Sequence, residues 1–273
     1  MTSPVPTSYA APPGAASIDP ASPLAQLARG VTLITGTDTD VGKTVATAVL
    51  AATLERAGVD LALVKPAQTG LAPDEDGGDV ELAGELAGLD PQRRHEYVRL
   101  PEPLAPTTAA RRAGVALPTV AEHARRLQGL LAGHDALLVE GAGGILVGLD
   151  GAGDGLLELA DALRHRGVPT RFVVVTRAGL GTLNHSALTC RAIRARGHDL
   201  AGLIVGSVPP AGQLAGDAGL AERCNLAELP AACDAPVLAV IPAGIGQDAH
   251  AVRRTAAALA VSTGVPVEEG RGA

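Results

Sequence analysis

Aromatic residues are almost missing: the 273 residues contain no tryptophan, one phenylalanine and two tyrosines. A core without rings must be filled by Ala, Val and Leu, and 47% of the chain is apolar, enough for one large domain. The shortage also bears on partners. Arginines occur in pairs, Arg93/Arg94, Arg111/Arg112 and Arg125/Arg126, with no aromatic interleaving to stack on bases, and the formal net charge is −7. That combination speaks against nucleic acid. Cysteine is scarce as well. Cys190, Cys224 and Cys233 are odd in number and lack the short paired spacing of a zinc or redox site, so they read as reduced thiols in a cytoplasmic protein. Apolar runs never approach the ~20 residues that cross a bilayer, because Gly, Pro or charge interrupts each one. The segment from Met1 to about Pro23 has no basic start and apolar centre, so it is not a signal peptide, and no membrane partner is expected.

What the chain does have is a glycine-bearing loop in a telling place. Residues 31–44 read VTLITGTDTDVGKT. Val31 to Thr35 is expected as a buried strand, and the loop after it can turn backbone N–H groups around a phosphate chain. Val45 to Ala57 then opens a helix whose N-terminal dipole end favours the anion. Lys43 adds positive charge near the transferable phosphate, and the Thr44 hydroxyl suits magnesium. The ligand class is a nucleoside triphosphate. The spacing departs from the usual phosphate loop, because the position of its first glycine is Thr37 and Gly36 sits one residue early.

Short β-branched runs alternate with Ala/Leu stretches of helical period, which predicts an α/β fold: a P-loop NTPase-type, predominantly parallel β-sheet with helices on both faces. Strands are expected at Val31 to Thr35, Leu61 to Lys65, Ala136 to Glu140, Arg171 to Thr176, Leu200 to Gly206 and Val237 to Ile241. Helices are expected at Val45 to Ala57, Val80 to Ala87, Val120 to Ala132, Leu156 to Arg166, Leu183 to Arg196, Leu214 to Ala227 and Ala249 to Val261. Between Tyr97 and Pro118 the prolines at 101, 103, 106 and 118 forbid a long helix and predict an extended excursion over one face of the site or at an interface. Residues 1–28 read as a disordered Ala/Pro/Ser-rich extension, 29–264 as one domain and 265–273 as a flexible tail.

In such sheets ligands gather at the carboxyl ends of the strands. The second strand ends in Lys65, followed by Pro66-Ala67-Gln68-Thr69-Gly70, which puts a second ammonium on the rim that carries Lys43. The third ends in Glu140 ahead of Gly141-Ala142-Gly143-Gly144, where missing side chains let a ligand approach backbone and the carboxylate can serve magnesium. Asp79 opens a helix after two glycines, as a capping residue or a second magnesium ligand.

Five ordered segments then resemble one family, the dethiobiotin synthetases: GTDTDVGKT (36–44), KPAQTG (65–70), PEPLAPTTAA (101–110), VEGAGG (139–144) and LGTLNH (180–185). The resemblance implies that 7,8-diaminononanoate, carbon dioxide or bicarbonate and ATP give dethiobiotin, ADP and phosphate through a carbamic–phosphoric anhydride. It implies catalytic roles for Lys43 and Lys65, and magnesium held by Thr44, Asp79 and Glu140. Nucleotide would lie against Asp40, Val41, Gly42, Lys43, Thr44 and Val45, against Glu140, Gly141, Ala142 and Gly143, and with its base near Gly206, Ser207, Pro242, Ala243 and Gly244. Thr39 and Thr69 would take the diamine end of the substrate. Gly181, Thr182, Leu183 and Asn184 would take its carboxylate tail from the neighbouring subunit, which implies a homodimer.

One position departs from that family's pattern. Gly206 stands where many members carry an asparagine that contacts adenine, which implies weak or altered base selection, with ATP or another nucleoside triphosphate as co-substrate. Two rivals fit less well. The chain is too short for a glutaminase-bearing amidating synthetase. A dimerising partition ATPase would carry lysine five residues before Lys43, where Asp38 stands.

Overall fold

The computed structural model describes residues 22–210, Leu214 and residues 219–262. Its elements in chain order are β1 (Gly30–Gly36), α1 (Lys43–Arg56), β2 (Leu61–Lys65), β3 (Gln68–Thr69), α2 (Asp79–Ala87), β4 (Arg94–Glu96), β5 (Arg99–Leu100), α3 (Pro106–Ala113), α4 (Val120–Leu131), β6 (Ala136–Gly144), α5 (Leu156–His165), β7 (Thr170–Arg177), α6 (Thr182–Ala195), β8 (Asp199–Val208), α7 (Leu220–Cys233), β9 (Val237–Pro242) and α8 (Ala249–Ser262). Seven strands form one sheet in the order β4-β2-β6-β1-β7-β8-β9, with every neighbouring pair parallel. The β1 strand is central, so the loop leaving it emerges in the middle of the carboxyl edge.

Strand alternation divides the core in two. Val31, Leu33, Phe172 and Val174 face the layer of α4, α5, α6 and α7, while Ile34, Val173 and Val175 face α1, α2 and α8. Helix α1 is buried along most of its length, from Ala46 to Leu54, because α2 and α8 cover the side away from the sheet. Its Ala-rich sequence suits this position, where small side chains let three helices pack closely.

Four local expectations need correction. Pro23–Ala28 falls in the expected extension but forms a 3-10 turn that buries Leu24 and Leu27 in the core, so the ordered chain reaches back beyond residue 29. The excursion between Tyr97 and Pro118 contains a helix, α3, because Pro106 sits at its first turn, where its fixed φ favours helix, and the next seven residues are free of proline. Helix α7 runs on to Cys233 instead of ending at Ala227, with Pro230 tolerated in its last turn. The start expected for it at Leu214 falls partly outside the described residues. Short strands β3, β4 and β5, too brief to show a period, were not anticipated; β4 extends the main sheet and β3 pairs with β5. The segments 1–21 and 265–273 lie outside the described residues.

Candidate active site

The sheet order lines up the carboxyl ends of β2, β6, β1, β7, β8 and β9, and therefore Lys65, Glu140, the 36–44 loop, Thr176, Gly206 and Pro242 along one rim. At Gly36 an added Cβ would lie 2.5 Å from the Asp38 carbonyl oxygen and 3.0 Å from Lys43 Nζ. The early glycine thus allows the loop to fold back over its own lysine, and Lys43 Nζ donates to the Asp38 carbonyl at 3.1 Å. Asp40 and Gly42 take left-handed backbone (φ 57° and 93°), and Gly42 leads directly into α1. Asp38 points outward and pairs with Arg177 at 2.7 Å. Burial drives the Lys43 ammonium below its ordinary value, and the nearby Lys65 charge adds to the effect against the pull of Glu140.

Lys65 is only 3% exposed and is held by charge on two sides: Nζ lies 2.6 Å from Asp79 Oδ2 and 2.9 Å from Glu140 Oε1, and it donates to the Gly141 carbonyl at 3.2 Å. Burial alone would lower its pKa, but the carboxylates of Glu140 and Asp79 outweigh burial and hold it above the usual lysine value. Glu140 is buried too. The Thr44 hydroxyl donates to Glu140 Oε1 at 3.0 Å, and Thr47 Oγ1 lies 3.0 Å from Oε2. Two carboxylates therefore flank the Lys65 ammonium beside the phosphate loop, and the Thr44 hydroxyl shares an oxygen of one of them. Among the described residues there is no cluster of three or more His, Cys, Asp or Glu able to cage a metal. This donor set suits magnesium, which takes one or two carboxylates and completes its shell with water and phosphate oxygens.

Asp79 is placed by the start of α2. Its backbone N–H donates to Gln68 Oε1 at 2.9 Å, and Arg99 anchors the preceding loop through the carbonyls of Glu75 and Gly77 while pairing with Glu96. Asp79 and Gln68 border an open cavity of about 710 Å³ lined also by Thr39, Asp40, Gly42, Lys43, Thr44, Val45, Lys65, Thr69, Glu140, Ala142 and Gly143, with an apolar wall from Pro103 to Pro106 and Val147. The proline-rich excursion packs over one side of the site. Val41 is buried beneath the loop, and Gly141 contributes its carbonyl to Lys65.

Gly206, Ser207, Pro242 and Gly244 lie apart from that cavity, in a shallow cleft of about 30 Å³ shared with Gly42 and Val45; Ala243 is not on its wall. Gly181 to Asn184 also lie outside the main cavity, at the start of α6. A buried hydroxyl cluster ties that helix end to the phosphate loop. Thr37 donates to Thr176 at 3.2 Å, and Thr176 is 2.7 Å from Thr182 and 2.8 Å from Ser186.

Two kinds of similarity bear on this arrangement. An AAA-domain family matches residues 31–251. The ATP-dependent dethiobiotin synthetase BioD of Rhodococcus jostii is 48% identical over 81% of this chain and 90% of its own length, and that of Streptomyces coelicolor is 46% identical over 83% and 90%. The chain belongs to the dethiobiotin synthetase family. The cell division ATPase MinD of Pyrococcus furiosus superposes with a TM-score of 0.50 at 19% identity, covering 86% of this chain and 97% of that one. That likeness concerns the fold alone.

Seen as a dethiobiotin synthetase, the chain joins Lys43, Thr44, Lys65, Asp79 and Glu140 in one pocket and keeps the 181–184 segment elsewhere on the same subunit. Sequence reasoning did not single out Thr47, Gln68, Thr176 or Arg99, which touch or brace this synthetase site. Thr47 alone carried a local signal, a polar β-branched residue in an Ala-rich buried helix.

Proposed function

We propose that the chain carboxylates 7,8-diaminononanoate and closes its ureido ring with magnesium and ATP or another nucleoside triphosphate, as a cytoplasmic homodimer built from one domain that takes in the Pro23–Ala28 turn. The observation that carries this reading is one pocket beside a phosphate loop that holds two lysines, Lys43 and Lys65, the latter paired with Asp79 and Glu140. An amine of the substrate attacks carbon dioxide and loses a proton to give a carbamate. A carbamate oxygen then attacks the γ-phosphorus, with ADP leaving. The second amine attacks the carbonyl carbon of the resulting anhydride, expels phosphate and closes the ring.

Each step has an assigned group in this reading. Lys43 steadies the γ-phosphate, Lys65 the carbamate and the phosphoryl group in flight, and Thr39 and Thr69 hold the diamine end, with the Asp40 carboxylate near enough to attract an amine. Thr44, Asp79 and Glu140 hold magnesium, which neutralises charge on the phosphate oxygens. The apolar side of the pocket, Pro103 to Pro106 and Val147, lies where it would limit water at the anhydride once substrates fill the cavity. Gly181 to Asn184 receive the carboxylate tail of the neighbouring subunit's substrate. Leu180 and Leu188, beside and on α6, are 85% and 57% exposed, and these bare apolar side chains next to the 181–184 segment support a dimer that would cover them.

Phosphate release that depends on the diamine and bicarbonate, with dethiobiotin identified by mass, is the expected result. Phosphate release without dethiobiotin would overturn the assignment.

A further inference from the structure

The Lys65 ammonium sits where a metal ion would be expected. Its two carboxylate partners, Asp79 and Glu140, together with the Thr44 hydroxyl on the same Glu140 oxygen, are the three groups read above as magnesium ligands. We propose that Lys65 is a built-in stand-in for the metal. Before metal loading it neutralises Asp79 and Glu140, and metal loading exchanges it out of that position toward the anionic end of the pocket. This rests on the ligand set assigned under Proposed function.

The oxygens of Glu140 leave little alternative. Oε2 is engaged by Thr47, and Oε1 by both Thr44 and Lys65. A divalent ion approaching the Thr44 hydroxyl therefore meets the carboxylate oxygen that Lys65 already uses. Two cations on one buried oxygen repel each other strongly, because the interior screens them poorly, so metal at that oxygen weakens the Lys65 contact. Asp79 is freer, with its side chain 36% exposed, so it can turn from the ammonium to the metal. Lys65 ends β2, and its long side chain can swing while the strand stays fixed.

Displacement leaves a buried ammonium whose remaining contact is the Gly141 carbonyl at 3.2 Å. It then needs a new anion, and the cavity it lines is the place where a terminal phosphate or a carbamate would lie. Metal loading and anion capture are thereby linked, each favouring the other. The same exchange keeps the carboxylate pair neutralised at every stage, which a buried site requires.

The test is Mn2+ binding to the nucleotide-free protein, followed by the EPR signal of free Mn2+. Lys65→Met removes the ammonium and keeps the apolar stem, and it should bind Mn2+ roughly ten-fold more tightly than the wild type. Lys65→Met/Glu140→Gln should lose that gain. Lys65→Gln, which keeps a neutral donor against Glu140, should show the same direction, as a larger rise in Tm on adding Mn2+ than the wild type shows. Equal or weaker Mn2+ binding by both single variants would overturn the proposal. The titration needs no turnover, so a wild-type protein that makes no dethiobiotin yet shows the gain would sink the substrate assignment and leave this inference standing.

Discussion

A Cβ added at Gly206 would lie 2.2 Å from the carbonyl oxygen of Val41. The phosphate loop and the end of β8 can approach this closely because position 206 has no side chain, so the glycine shapes the loop as well as the base cleft. Gly206→Ala is expected to push the loop off its bed and raise KM for every nucleoside triphosphate by about ten-fold or more. Steady-state kinetics with ATP and CTP would check it. A variant matching wild type with both nucleotides would show that the loop stands clear of position 206 when nucleotide is bound.

Base selection is a separate expectation. Among the described residues that line the cleft, Ser207 is the only one with a polar side chain and none carries a side-chain amide to read a base edge. Turnover at subsaturating ATP, CTP, GTP and UTP is expected to differ little, because a site without a committed donor and acceptor leaves no polar group unsatisfied by the wrong base. A strong adenine preference would contradict this.

Thr176 is the hub of the buried hydroxyl cluster, and the cluster joins loop residue Thr37 to the first turn of α6. Thr176→Val keeps the volume and removes the hub. It should cost about 1–3 kcal/mol in chemical denaturation, because Thr37, Thr182 and Ser186 each lose a buried partner. The diamine KM should rise with it if the cluster sets the angle between loop and helix. A full stability loss with unchanged KM would assign the cluster to folding alone.

Much of this site is legible in the sequence, and the reason is local. Lys65 and Glu140 each end an apolar run, and the position of a run's end in a parallel sheet dictates which rim the residue reaches. The loop at 36–44 carries its own geometry in its glycines and its GKT end. Thr176, Gln68 and Arg99 were missed because their contacts are made through space: Thr37 and Thr176 are 139 residues apart, and neither hydroxyl looks unusual in its own segment. Helix α3 was hidden for a different reason. Proline was weighed as a breaker throughout 97–118, although at a helix's first turn it helps the start.

Lys65→Ala removes the buried ammonium that lies between Asp79 and Glu140. Ring closure should fall by at least about two orders of magnitude, while nucleotide binding, held by the loop and Lys43, stays measurable. Calorimetric nucleotide binding set beside dethiobiotin formation would separate the two effects. Activity near wild type would remove Lys65 from the catalytic groups.

His123 gives the protein an acid-sensitive point far from the pocket chemistry. It is fully buried on α4, stacked on the Tyr97 ring at 5.8 Å, and neither ring nitrogen has a hydrogen-bond partner. Burial pushes its pKa down to about 4, with Arg126 acting in the same direction and Asp150 and Glu122 against it. The unfolded chain therefore binds a proton near the ordinary value of 6.5 that the folded chain refuses until about pH 4. The stability contributed by the neutral ring is complete above pH 6.5 and is lost as pH falls toward 4. Carboxylates act lower, for the Thr119 amide holds Glu122 below its ordinary 4.5. In urea melts at pH 7 and pH 4.5, wild type should lose roughly 2 kcal/mol more than His123→Leu, whose apolar side chain carries no proton. Equal losses would mean that the ring gains a proton partner on acidification, for which the carboxylates of Asp150 and Glu122 carry the favourable charge.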